Sequence, residues 1–202
     1  DIETVLGGFP VPGNNLAEKL EWLKKNTESN KSYLVAVNAN ESLNPTVLDY
    51  NIYFIDYYIV TSKNNITIKL QGIGGEKTIS LLSNGSLFTI GSGVTLVMDN
   101  NITLQGRISN TSDPVIKVRE GGKLIMNGGV ISGNGEWGVD VYDGGTLTKN
   151  GGTIYGANES DTSLRNRGAV YVFSPRRTRY NTAGPSVHLD STKSKAEGGG
   201  WD

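Results

Sequence analysis

The sequence predicts an all-β chain: a parallel β-helix (β-solenoid) of about five to six coils, with one amphipathic helix capping its N-terminal end. Three observations predict it. First, thirteen residues occur twice. Residues 121–133 read GGKLIMNGGVISG and residues 144–156 read GGTLTKNGGTIYG, offset by 23 without a gap and identical at eight positions. Such self-similarity at a short fixed period marks repeats that bury their apolar faces on one another. Second, from Ile66 onward the chain is a succession of short β-branched runs such as ITIKL, TISLL, LFTI and VTLVM, punctuated by Gly and Asn. That is the pattern of strands joined by tight turns. Third, apolar positions recur in columns. Phe88, Ile116 and Val139 are separated by 28 and then 23 residues, and Ile90, Val118, Val141 and Leu96, Leu124, Leu147 keep the same offsets. About three strands per 23 to 28 residues is one coil, with strands stacked about 4.8 Å apart between coils. An up-and-down barrel needs antiparallel hairpins without such a repeat, and a propeller blade is longer, roughly 40 residues.

The elements follow from the N-terminus. Residues 1–13 hold Gly7, Gly8, Pro10, Pro12 and Gly13 and read as an irregular lead-in. Asn14 or Asn15 then caps a helix running to about Asn26, with Leu16, Leu20 and Leu23 on one stripe and Glu18, Lys19, Glu21, Lys24 and Lys25 on the other faces. A lone amphipathic helix before a solenoid plugs its open end, so residues 1–32 are assigned to lead-in and cap and 33–202 to the β-helix with its end coil. Tyr33–Val37 is the first strand. Residues 41–62 are less regular and concentrate Tyr50, Tyr53, Phe54, Tyr57 and Tyr58. The loop after Gly106, RISNTSDP, accounts for the longer of the two column intervals. Met98 and Met126 fall in an inward column whose third member is Lys149, which is expected to twist outward or snorkel past the corner. Asn127 and Asn150 stack as a turn ladder with amides bonded between coils.

Composition bounds the function. The chain has 202 residues, fitting one domain. Nineteen basic and twenty acidic side chains nearly cancel, so no global field draws nucleic acid or an anionic membrane. Gly, at 27 residues, is nearly twice the average usage of roughly 7%, which means many tight turns. The absence of cysteine excludes disulfides, thiolate metal sites and thiol nucleophiles. There is no apolar run of the roughly 18 residues that a membrane-spanning helix needs. No signal peptide is visible, and a chain beginning at Asp1 rather than Met suggests a processed or trimmed N-terminus.

The segment GGEKTISLLSNGSLFTIGSGVTLVMDNNITLQG (74–106), the paired GG-x-L-x-x-NGG-x-I-x-G blocks and the ending RGAVYVFSPRRTRYNTAGPSVHLDS with its GGWD tail resemble right-handed parallel β-helix repeat proteins of host-associated bacteria. The resemblance covers residues 66–202 well and the first 60 poorly. It implies a right-handed coil and an exported protein at the cell surface, in the periplasm or outside the cell. It transfers no catalysis and no cofactor.

Three groups of side chains are candidates for chemistry. If Phe88, Ile116 and Val139 point inward, Thr89, Lys117 and Asp140 form one outward column. Gly91, Arg119 and Tyr142 form the next, and Ser92, Glu120 and Asp143 lie at the corner beyond. Glu120 and Asp143 on neighbouring coils, beside Lys117 and Arg119, have the makings of an acid/base pair or a calcium site. The alternative is a solvated corner. Tyr53, Tyr57 and Tyr58 are candidates for stacking on sugars or for packing on a partner, or else cover the cap. Arg176, Arg177 and Arg179, with Arg165 and Arg167 nearby, suit carboxylate, sulfate or phosphate groups, or else form a solvated loop. His188 is the only histidine, so neither a His triad nor a His metal site can be built. The expected function is a structural or glycan-binding module whose partners are glycans or host surface molecules. A small polysaccharide lyase or glycosidase and an adhesin or assembly element are the alternatives. Oligomeric state is left open.

Overall fold

The computed structural model describes residues 7–53, 59–135, 137–155, 161–166, 170–173 and 186–188. A two-residue strand β1 (Phe9–Pro10) precedes the helix α1 (Leu16–Asn26). The first repeat then supplies β2 (Ser32–Val37), β3 (Glu41–Leu43) and β4 (Thr46–Leu48). A short antiparallel pair, β5 (Ile52–Tyr53) and β6 (Ile59–Thr61), follows as an insertion. The second repeat is β7 (Ile66–Gly72), β8 (Lys77–Leu81) and β9 (Phe88–Ile90). The third is β10 (Val94–Met98), β11 (Ile102–Gln105) and β12 (Ile116–Val118). The fourth is β13 (Lys123–Met126), β14 (Val130–Ser132) and β15 (Val139–Val141), and the fifth β16 (Thr146–Lys149), β17 (Thr153–Ile154) and β18 (Asp161–Asn166). Two more strands, β19 (Val170–Phe173) and β20 (Ser186–His188), extend the stack.

Each repeat sends one strand to each of three sheets. Their orders are β1-β2-β7-β10-β13-β16-β19, β3-β8-β11-β14-β17 and β4-β9-β12-β15-β18-β20. Neighbours within all three are parallel and come from successive repeats. The chain is thus mostly β, with parallel sheets and one helix among the described residues, an arrangement compatible with an all-β parallel solenoid.

The register matches the sequence columns. Phe88 pairs with Ile116 and Ile116 with Val139; Leu96 pairs with Leu124 and Leu124 with Leu147. All six are fully buried, as are Ile90, Val118 and Val141. Pairing identical or similar apolar side chains directly above one another removes each from water on both sides, which is worth about 1.5–3 kcal/mol per side chain. The loop after Gly106 carries the extra length of the third repeat, since no strand lies between Gln105 and Ile116.

The cap is built as the leucine stripe predicts, with three differences in the N-terminal part of the chain. Leu16, Leu20 and Leu23 join the core, and the Asn15 side chain accepts from the Glu18 amide at 2.8 Å. Lys19, expected on an outer face, is instead buried, and its ammonium donates to the Ala36 carbonyl at 2.5 Å. It lies one turn from Leu16 and Leu23, on the face that meets the sheet. Part of the lead-in is not irregular, because Phe9 and Pro10 pair with Tyr33 and Leu34. Phe9 also stacks on Trp22 at 5.5 Å, with Tyr33 edge-on to both. Residues 41–48, read as less regular, contribute two sheet strands.

Lys149 takes the register position of Met98 and Met126. The two methionines are fully buried, while Lys149 is half-buried, and burial holds its ammonium below the usual lysine range.

Candidate functional site

The site is made by a turn that repeats. The Gly122 amide donates to the Arg119 carbonyl at 2.9 Å, and the Gly145 amide to the Tyr142 carbonyl at 2.9 Å. The third residue of each turn, Gly121 or Gly144, has φ of +69° or +73°. Glycine at a positive-φ third position is the requirement of a type II turn. An earlier copy runs from Gly91 to Val94, with Gly93 at φ +76°. The second residue of each turn, which such a turn projects outward, is Ser92, then Glu120, then Asp143. The corner column read from the sequence is therefore a stack of turn apices.

The preceding column is fixed by the ladder. The amides of Gly91, Arg119 and Tyr142 each donate, at 2.9 Å, to a carbonyl one repeat back: Leu48, Ile90 and Val118. Gly91 places no side chain beside Arg119. At Gly144 an added Cβ would stand 2.7 Å from Cγ of Glu120, so the Glu120 stem lies directly across that glycine, next to Asp143.

Together these features leave a shallow, open hollow of about 350 Å³ lined by Lys117, Arg119, Glu120, Tyr142 and Asp143. Lys117, Arg119, Glu120 and Asp143, the first of the three candidate groups, all line this one hollow. Tyr142, which the sequence columns placed beside them without assigning it a role, supplies the aromatic wall. Arg119, Glu120 and Asp143 are exposed, and Lys117 and Tyr142 half-buried. Lys117 is engaged from outside the hollow, its ammonium 2.9 Å from Oδ1 of Asp113 in the preceding loop.

Two members of the outward columns are covered rather than solvated. Thr89 and Asp140 are 7% and 2% exposed. Thr89 sits in register between Val47 and Lys117, and Asp140 between Lys117 and Arg165. Asp140 is thus part of the sheet rather than of the accessible surface.

The other candidates are not brought to this place. Tyr53 ends β5 in the inserted pair, and Tyr57 and Tyr58 lie outside the described residues, as do Arg176, Arg177, Arg179 and Arg167. His188 ends β20, paired in register with Ser163. Among the described residues no group of three or more His, Asp or Glu side chains is placed to hold a metal ion. No helix among them is long and apolar enough to cross a membrane.

Sequence reasoning missed a second, internal ladder. Asn110 and Asn134 are 1% exposed, and the Asn110 amide donates to Oδ1 of Asn134 at 3.1 Å and to the Gly85 carbonyl at 2.8 Å. Asn134 donates in turn to the carbonyls of Asp113 and Trp137. This ladder pins the loop whose Asp113 holds Lys117. The only signal was an Asn in each of two corner segments of unequal length.

No protein-family model, curated protein or solved structure matches the chain.

Proposed function

We propose that this chain is an exported right-handed parallel β-helix module that binds a saccharide in the hollow over Arg119 and Tyr142. The observation that carries this reading is the convergence of an aromatic ring, a guanidinium and two carboxylates on one accessible concavity. Aromatic faces take the apolar face of a sugar ring, and planar charged groups bond its hydroxyls in pairs. The right-handed coil is supported by the parallel pairing of all three sheets, since parallel crossovers are right-handed in about 98% of cases. The exported or surface location is supported by the resemblance of residues 74–106 and of the paired glycine blocks to bacterial repeat proteins of that kind.

A hydrolase or lyase at the same place is the second reading, favoured by Glu120 and Asp143 lining one hollow. Against it, both carboxylates are exposed on turn apices beside an open hollow rather than enclosed in a cleft.

A glycan-array screen of the folded chain tests the proposal, with Tyr142→Ala and Arg119→Ala alongside. Binding that falls about tenfold or more in either variant supports it, the loss expected for an aromatic or charge-assisted contact. Binding unchanged in both, but lost in Arg176→Ala/Arg177→Ala or in Tyr57→Ala, moves the site elsewhere and overturns it.

A further inference from the structure

We infer that Asn84 is a modification site, where water converts the side-chain amide to a carboxylate and part of the product to isoaspartate. Asparagine is a thermolabile residue, above all before glycine, which has no Cβ to hinder attack by its amide nitrogen. The chain holds four such pairs: Asn84-Gly85, Asn127-Gly128, Asn134-Gly135 and Asn150-Gly151. The fold holds three of them back. Asn127 donates to Asp99 at 3.1 Å and accepts from Asn150 at 2.9 Å. Asn150 is tied by that same bond, and the Gly151 amide donates to the Met126 carbonyl at 3.1 Å. Asn134 is 1% exposed with both ends of its carboxamide bonded, and the Gly135 amide donates to the Arg107 carbonyl at 3.0 Å. Asn84 differs on each count. Its side chain is exposed and makes no hydrogen bond among the described residues. The Gly85 amide donates to Oδ1 of Asn110 at 3.3 Å, beyond the usual N–H···O range of about 2.7–3.2 Å. The fold also demands this glycine: its φ is +132°, and an added Cβ would stand 2.6 Å from Cγ of Pro45.

The step consumes only water. The Gly85 amide nitrogen gives its proton to hydroxide and attacks Cγ of Asn84. A new N–C bond closes an imide ring, and the side-chain nitrogen leaves as ammonia with a proton from water. Water then adds to either imide carbonyl and breaks its bond to nitrogen. Opening at Cγ gives aspartate. Opening at the backbone carbonyl gives isoaspartate, in which the chain runs through the side-chain carbon and the backbone is longer by a methylene. That lengthening falls beside a built contact. The Asn110 carboxamide brackets Gly85, its Oδ1 accepting from the Gly85 amide and its Nδ2 donating to the Gly85 carbonyl at 2.8 Å. Asn110 also donates to the Asp113 carbonyl and to Oδ1 of Asn134. Isoaspartate at position 84 therefore loosens the end of the internal asparagine ladder.

The test is peptide mapping by mass spectrometry on the folded chain aged in mildly alkaline buffer, with aspartate and isoaspartate products separated by chromatography. A second sample is aged in urea. Asn84→Gln is aged beside them, since its longer side chain keeps an exposed carboxamide but closes a ring far more slowly. In the folded chain, acid product at Asn84 should form about tenfold or more faster than at Asn127, Asn134 and Asn150, which must first open locally. That gap should close in urea, where all four pairs are free. Amide exchange at Gly85 and Asn110 should be faster in aged wild type than in aged Asn84→Gln. No acid product at Asn84, or equal rates at the four asparagines of the folded chain, overturns the site. A gap that persists in urea overturns the fold as its cause. Unchanged exchange at Gly85 and Asn110 after Asn84 has converted overturns the loosening of the ladder.

Discussion

Asn150 donates its side-chain amide to Oδ1 of Asn127 at 2.9 Å, across the 23 residues that separate two repeats. Asn127 passes the same bond on to Oδ1 of Asp99 at 3.1 Å, and Lys69 closes the line with an ion pair to Oδ2 of Asp99 at 2.9 Å. Four repeats are thus joined along one corner by side chains alone. Asn127→Ala breaks two of these bonds at an exposed position. Its expected cost is about 1–2 kcal/mol, read from urea unfolding. An Asn127→Ala/Asn150→Ala cycle should show coupling between the two sites, because they share a bond.

Leu124 lies between Leu96 and Leu147 in the first sheet, all three fully buried. Leu124→Ala should cost about 2–5 kcal/mol, since both neighbours are held by their own strands and cannot collapse into the space. A midpoint shift in denaturant without a change in slope would show that the loss is one of packing.

Asn134 is 1% exposed and donates to the carbonyls of Asp113 and Trp137 at 2.6 and 3.0 Å. Asn134→Ala removes these two bonds and the one that Asn134 accepts from Asn110, while the Asp113 carbonyl keeps the Asn110 amide and the Trp137 carbonyl keeps the Val115 amide. The expected cost is about 1–3 kcal/mol. Because the same loop presents Asp113 to Lys117, amide exchange should also accelerate through residues 107–114.

The Lys149 ammonium is held below its usual range by burial. The folded state therefore binds fewer protons than the unfolded state between the depressed pKa and the ordinary lysine value. In that window stability rises with pH, and the penalty is fully present below it. Lys149→Met continues the column of Met98 and Met126. It should stabilise by a few tenths to about 1 kcal/mol near neutral pH, the group being only half-buried. That gain should shrink as pH rises toward the ordinary lysine range, a trend that unfolding midpoints across alkaline pH would show.

The core was legible because stacking repeats one apolar choice at each register position, and 28- and 23-residue offsets can be counted without knowing the fold. The Asn127–Asn150 bond was legible for the same reason: the two residues occupy equal places in duplicated blocks. The corner carrying Glu120 and Asp143 could be placed because each is followed by two glycines, the chemistry of its turn. What failed was anything set by partners outside the repeat. Lys19 reads as a surface lysine on its helix, but the Ala36 carbonyl takes its ammonium inside. Glu41 gives no sign in sequence that it caps α1, yet it accepts the Leu16 amide at 2.7 Å. Asn110 and Asn134 meet only because loops of unequal length fold to the same corner. Asp140 was read outward correctly along its strand, but alternation is blind to what lies over it.

Amide chemical shifts followed while a sugar oligomer is titrated into the labelled chain would decide whether the hollow is the site. Saturable shifts are expected at Arg119, Glu120, Gly121 and at Tyr142 through Gly145, with the buried columns at Leu96 and Leu124 unmoved. Shifts confined to the inserted segment around residues 53–59 or to residues beyond 166, with none at these two turns, would contradict it.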